Sequence, residues 1–160
     1  MSEAFLPGIA LVAGLFLAIS ALPHFTCIRI APAIGGSYPA RAVGLIKESG
    51  VAGNLAIDFD WGEYALYYLS PAVKVSMDGR RETAYSEATY LQSLAFRFGQ
   101  GKWNAVLENP ATDMALVKTG FAPYHLMKLE PGWRLIHQDS LAALFAREGL
   151  PIVDAFERTA

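Results

Sequence analysis

The chain has 160 residues, 53% of them hydrophobic and 18% charged, with a formal net charge of -2. That length suits one domain of ordinary size. The near-neutral charge excludes a general attraction to nucleic acid, and the single cysteine, Cys27, excludes an intramolecular disulfide. The charged share is below the roughly 25% of an average soluble domain, so an apolar interface with lipid or with another protein is expected.

Residues 1–22 read as a transmembrane anchor. Phe5 to Leu22, FLPGIALVAGLFLAISAL, holds no charged residue and no Asn or Gln. About 18 such residues are the minimum for a helix that spans a bilayer. Phe5, Leu11, Leu15, Phe16 and Leu22 are the side chains expected to meet lipid. Pro7 falls in the first turns, where its missing N–H costs little. Two other readings compete. A cleaved signal peptide needs a positive n-region, and residues 1–4 carry only Glu3, although Ala18, Ser20 and Ala21 would suit a peptidase. A buried soluble helix is normally shorter or amphipathic. A retained single-pass helix is the reading adopted. Arg29, Arg41 and Lys47 follow the helix and no Lys or Arg precedes it, a bias toward a cytoplasmic C-terminal domain.

Residues 23–38 read as an extended linker, broken by Pro23, Pro32, Gly35 and Gly36. An α/β domain is expected over 39–148. Its first helix runs from Ala40 to Ser49 and stops at Gly50. Leu55–Phe59 reads as a buried strand, Trp61–Leu69 as a helix ended by Ser70-Pro71, and Val73–Met77 as a second strand. Ser86 caps a helix reaching Phe98, with Ala88, Leu91, Leu94, Ala95 and Phe98 as its apolar stripe. Trp103–Leu107 is a further helical turn, Met114–Val117 a third strand, and Pro123–Leu129 a short helix. Trp133–His137 and Leu141–Ala146 read as a hairpin at the sheet edge. Residues 149–160 are expected to be a tail with one helical turn around Asp154 to Glu157. Strands alternating with helices predict βαβ units and a mostly parallel sheet that ends in an antiparallel hairpin.

Three runs are distinctive together: Gly53-Asn54-Leu55, then Asp58-Phe59-Asp60-Trp61-Gly62-Glu63-Tyr64, then Lys74-Val75-Ser76-Met77-Asp78-Gly79-Arg80. The ending Gly132-Trp133-Arg134-Leu135-Ile136-His137-Gln138-Asp139, before an apolar strand and Arg147, adds to them. From Tyr38 to Arg147 the chain resembles the soluble C-terminal domain of bacterial polytopic membrane proteins related to lipid-linked-sugar glycosyltransferases. The resemblance implies the fold and a periplasmic domain beside the bacterial inner membrane, and it is given more weight than the charge bias. One apolar stretch precedes the domain here, so sugar transfer itself is not implied.

The main polar concentration is Asp58, Asp60, Asp78 and Arg80, at the C-terminal ends of the first two strands, where open α/β sheets usually bind ligands. Two carboxylates are able to hold a divalent cation or divide acid and base roles, and Arg80 to clamp a phosphate or carboxylate. The simpler reading is an ion pair of Asp58 or Asp60 with Arg80 that pins the two loops. His24, His125 and His137 fall in no zinc spacing. Ser20, Ser37 and Ser140 lack a GxSxG elbow, and Gly35-Gly36-Ser37 lacks the lysine of a phosphate loop. No catalytic residue, metal or cofactor is expected. Trp61, Tyr64, Tyr67 and Tyr68 form an aromatic cluster suited to a partner contact. The functional expectation is therefore a non-enzymatic, single-pass accessory subunit of a larger membrane complex, energy-transducing assemblies, respiratory or photosynthetic, being natural hosts. A sugar- or glycolipid-binding domain serving a membrane glycosyltransferase is the alternative, and a metal- or phosphate-dependent enzyme the second.

Overall fold

A strand whose two faces are both covered has no polar side, and its sequence becomes a continuous apolar run. MALV at 114–117 and AALFA at 142–146 are such runs. The structure, a computed structural model, describes residues 11–17, 19–20 and 37–159. The chain divides into two compact units, Met1–Ala33 and Ile34–Ala160.

In the first unit residues 11–17 and 19–20 are helical, and Leu11, Val12, Leu15, Phe16, Leu17 and Ile19 are exposed. Among the described residues no helix is long and apolar enough to cross a membrane. Phe5, Leu22, His24 and Cys27 lie outside the described residues, so the full stretch expected to form the anchor is only partly described.

The second unit carries five strands and seven α-helices among its described residues. In chain order they are α1 (Ala40–Ser49), β1 (Gly53–Ile57), a 3-10 turn (Phe59–Trp61), α2 (Gly62–Leu69), β2 (Val73–Val75), α3 (Arg81–Ala84), α4 (Glu87–Phe98), α5 (Ala105–Glu108), β3 (Met114–Lys118), α6 (Ala122–Met127), β4 (Trp133–Gln138), β5 (Ala142–Arg147) and α7 (Pro151–Thr159). The sheet order is β2-β1-β3-β5-β4. β1 pairs in parallel with β2 and β3, and β5 pairs antiparallel with β3 and β4. The sheet is therefore evenly mixed rather than mostly parallel. The hairpin forms one edge of the sheet, as expected.

Successive side chains on a strand point to opposite faces, and here each face has its own helical layer. Leu55, Ile57, Met114, Leu116, Leu144 and Ala146 pack with α1, α2 and α7 through Val43, Ile46, Ala65, Leu69, Val153 and Phe156. Ala56, Ala115, Val117, Ala143 and Phe145 pack on the other face with Phe96 of α4, Leu107 of α5 and Tyr124 and Met127 of α6. Burying a side chain as large as Phe145 contributes about 2–3 kcal/mol. The result is three layers, helix on sheet on helix.

Local chemistry sets the ends. Ser86 accepts the Thr89 N–H and starts α4, while Gly50 takes the left-handed conformation (φ 66°) that stops α1. β1 ends at Ile57 rather than Phe59 because the Asp58 carboxylate accepts the Asp60 N–H and turns the chain. β2 ends at Val75 rather than Met77 because Ser76 leaves the ladder by a mixed contact. Its N–H donates to the Leu55 carbonyl and its Oγ accepts the Ile57 N–H. Residues 149–160 are more than a tail: α7 runs for nine residues and buries Val153 and Phe156.

The loops after β1 and β2 touch through glycine. A Cβ on Gly62 would lie 2.1 Å from the Met77 carbonyl oxygen and 2.6 Å from the Asp78 Cα. Gly44, on α1, has nothing within 4 Å of its would-be Cβ. Gly62→Ala is therefore expected to destabilise the domain by roughly 3 kcal/mol through backbone overlap. Gly44→Ala is expected to stabilise it by about 0.5–1 kcal/mol through helix propensity. Urea unfolding of the two variants measures both effects.

Candidate functional site

The strand order fixes where a crevice opens. β1 leaves toward α2 on one face, whereas β2 returns to β3 through α3, α4 and α5, with Phe96 and Leu107 packed on the other face. The connections diverge between the C-terminal ends of β1 and β3, the position where doubly wound sheets hold ligands. Asp58 and Asp60 follow β1 at this point and Lys118 ends β3. Arg97 reaches the same point from α4.

These four side chains neutralise one another. Lys118 Nζ lies 3.0 Å from Asp58 Oδ1 and 2.8 Å from Asp60 Oδ2. Arg97 grips Asp60 with two prongs, Nη1 to Oδ1 at 2.9 Å and Nη2 to Oδ2 at 2.7 Å. Its Nε lies 3.6 Å from Asp58 Oδ2, too long for a hydrogen bond. Asp58 is buried, 4% exposed, so its charge needs these cations. Burial pushes the Asp60 carboxyl up, but the hydrogen bonds from Arg97 and Lys118 outweigh it and hold the pKa below the ordinary value. The same hydrogen bond to Asp60 raises Arg97. Lys118 also lies 5.2 Å from the Trp61 ring centroid and 5.5 Å from that of Phe121, a favourable setting for a cation.

A second cluster sits in the loop after β2. Asp78 is fully buried. Arg80 donates to it from Nε at 2.9 Å, from Nη2 at 2.6 Å and from its backbone N–H at 2.9 Å, and Tyr85 donates its hydroxyl at 3.0 Å. The Arg80 hydrogen bond, against burial, lowers the Asp78 pKa to about 2. Arg80 is raised in return, and burial beside Asp78 raises Tyr85. Next along the chain, the Arg81 guanidinium lies 3.5 Å from the centroid of the Tyr90 ring, and Phe59 meets that ring edge-on at 6.5 Å.

The expected ion pair between Asp58 or Asp60 and Arg80 is thus replaced by two separate pairings. Arg80 folds back on its own loop, and the first-strand acids take Arg97 and Lys118. The two loops are joined instead by the close approach at Gly62 and by Gly79, whose would-be Cβ lies 1.7 Å from Glu63 Oε1. Arg97 and Lys118 were absent from the sequence-derived site. Lys118 had one signal, as the sole charge closing the apolar run MALVK. Among the described residues no three His, Cys, Asp or Glu side chains converge as a metal site. Several clefts among the described residues lie away from the quartet. One of about 480 Å³ is lined by Arg41, Leu45, His137 and Phe156, and one of about 250 Å³ by Lys74, Ser76, Gln92 and Asn109.

The aromatic cluster also separates. Trp61 is 1% exposed and donates its Nε1–H to the Ser37 carbonyl, so it is a core residue and not an interface anchor. Tyr64 and Tyr68 are half-buried and Tyr67 is exposed.

Fold and site together define a three-layer α/β domain with a charge-compensated crevice. Compared with protein-family models, curated proteins and solved structures, the chain matches none of them.

Removing one cation leaves a buried carboxylate uncompensated. Lys118→Met is expected to destabilise by about 3 kcal/mol, with more than half recovered when Asp58→Asn is added, as a denaturation double-mutant cycle measures. The depressed Asp78 pKa has a defined sign. Its stabilisation is complete above the unfolded value of about 4 and is lost as pH falls through about 2. Asp78→Asn is expected to flatten that acid limb in unfolding curves taken from pH 6 down to pH 2.

Proposed function

We propose that this chain is a membrane-tethered, non-enzymatic accessory subunit of a larger membrane protein assembly. The observation that carries the reading is the first unit's helix, apolar around its described circumference and exposed at Leu11, Leu15 and Phe16. A helix hydrophobic on all sides belongs in lipid or inside a larger protein. The site supports an accessory role. Three of the four crevice carboxylate oxygens accept hydrogen bonds or lie within 3.0 Å of Lys118, and the fourth, Asp58 Oδ2, is on a buried residue. A cation or substrate would have to displace both Arg97 and Lys118, which argues against the metal- or phosphate-dependent enzyme.

The resemblance to glycosyltransferase-associated domains supports a periplasmic position at a bacterial inner membrane. The polar cleft at Lys74, Ser76, Gln92 and Asn109 favours one second reading, a sugar- or glycolipid-binding partner of a membrane glycosyltransferase.

Expressed in a bacterial host, the full chain is expected in the carbonate-resistant membrane fraction. Leu15→Asp with Phe16→Asp is expected to move it to the soluble fraction. Blue-native electrophoresis in mild detergent is expected to place the unaltered chain in a complex of fixed stoichiometry. An impermeant maleimide added to spheroplasts is expected to label Cys27, next to the apolar stretch. Recovery of the unaltered chain as a soluble monomer would overturn the reading.

A further inference from the structure

The cleft of about 480 Å³ between α1, β4 and α7 lies apart from the crevice, and three features mark it as a built site. The first is a gap in a helix. Gly44 stands in the middle of α1, where glycine costs up to about 1 kcal/mol against alanine. Its φ is not positive, and a Cβ there would meet no atom within 4 Å. Neither backbone geometry nor packing calls for glycine at this position. Its effect is to leave room, because Gly44 lines the cleft.

The second is a bulge in β4. Leu135 pairs with Phe145 but His137 pairs with Leu144, so Ile136 is an extra residue. Phe145 belongs to the face covered by α4, α5 and α6, and Leu144 to the face covered by α1, α2 and α7. Strict alternation would send His137 to the same face as Leu135. The bulge instead brings His137 to the α1–α7 face, where Ile136 also packs. Gln138 then turns back and accepts the Tyr124 hydroxyl of α6 at 2.6 Å. Bulges re-aim side chains in this way beside functional sites. Asp139 stands next to the imidazole. Its Oδ1 accepts the Leu141 and Ala142 N–H groups, each at 2.8 Å, and its Oδ2 lies 3.5 Å from His137 Nε2.

The third is a cation without an acid. Among the described residues no carboxylate pairs with Arg41, which is exposed at the cleft. Glu48, the acid among the described lining residues, follows seven residues later in α1, roughly 10 Å along the helix axis. Leu45, Ile136 and Phe156 supply apolar wall.

Small-molecule sites typically enclose about 300–1,000 Å³, and this cleft falls in that range. A guanidinium fork fits a carboxylate or phosphate with two prongs, and an imidazole adds a further donor. We infer that the cleft binds a small organic anion, a carboxylate or phosphate ester with an apolar body. Its charged end meets Arg41 and His137, and its body lies against Leu45, Ile136 and Phe156. The inference is independent of the membrane-tethered reading and adds a ligand site to the α/β domain.

The test uses the full chain, ¹⁵N-labelled and purified in dodecyl maltoside. It is titrated with phenyl phosphate, with phenylacetate and with uncharged benzyl alcohol, and backbone amide shifts are followed. Saturable shifts at the Gly44 and His137 amides are expected at millimolar concentration of at least one anion, and the tighter of the two distinguishes phosphate from carboxylate. Benzyl alcohol is expected to bind roughly tenfold or more weakly, and Arg41→Ala to weaken the anion by a similar factor. Gly44→Leu is expected to abolish saturation without lowering the thermal melt. Arg41→Ala changes an exposed side chain and keeps the test decisive if Gly44→Leu fails to fold. Absence of saturable shifts with both anions would overturn the inference. So would benzyl alcohol binding as tightly as the anions, or anion binding unchanged in Arg41→Ala or in folded Gly44→Leu.

Discussion

The pairing of β1 with β3 is the contact on which the rest of the domain depends. Leu55–Ile57 run parallel to Met114–Leu116, although almost sixty residues separate them in sequence. That one register joins the first βαβ unit to the hairpin half of the sheet. It places large side chains on the α1–α2–α7 face and small ones, Ala56 and Ala115, on the other. It also ends both strands side by side, so that Asp58 and Lys118 leave the sheet together. A slip by one residue would turn each of these side chains to the wrong layer and part a buried carboxylate from its ammonium.

The two acidic loops solve the same problem in different ways. A carboxylate taken out of water needs a cation and hydrogen-bond donors. Asp78 finds both within seven residues, from Arg80 and Tyr85. Asp58 and Asp60 find them across the fold, from a helix and a strand that belong to other units of structure. The first arrangement shapes one loop. The second ties β1, β3 and α4 together at the crevice where this topology would otherwise admit a ligand. Backbone contact at Gly62, rather than charge, then brings the two loops together.

The aromatic cluster is divided by the same packing. Trp61, in the 3-10 turn, is covered beneath Lys118, and the α2 helix that follows buries Ala65 and Leu69 while Tyr67 stays exposed. One helix therefore contributes both to the core and to an exposed aromatic edge.

The sequence by itself determined what depends on neighbours a few residues away. The Ser86 cap and the stop at Gly50 are short-range, and the α/β class follows from the order of the elements, whereas the strand expected through Asp58 to Phe59 stops at Ile57, and α4 buries Phe96 in place of the expected stripe, whose Leu91 and Phe98 are 56% and 45% exposed. Tertiary structure alone decided the even mixture of the sheet, the burial of Trp61, the packing of α7 and the partners of Asp58, Asp60 and Arg80. These depend on which strand lies beside which. Arg97 and Lys118 stand 37 and 58 residues from Asp60, and no local period or cap carries information over that span. Charge type was legible in the chain, but the partner of each charge was set by the geometry of packing.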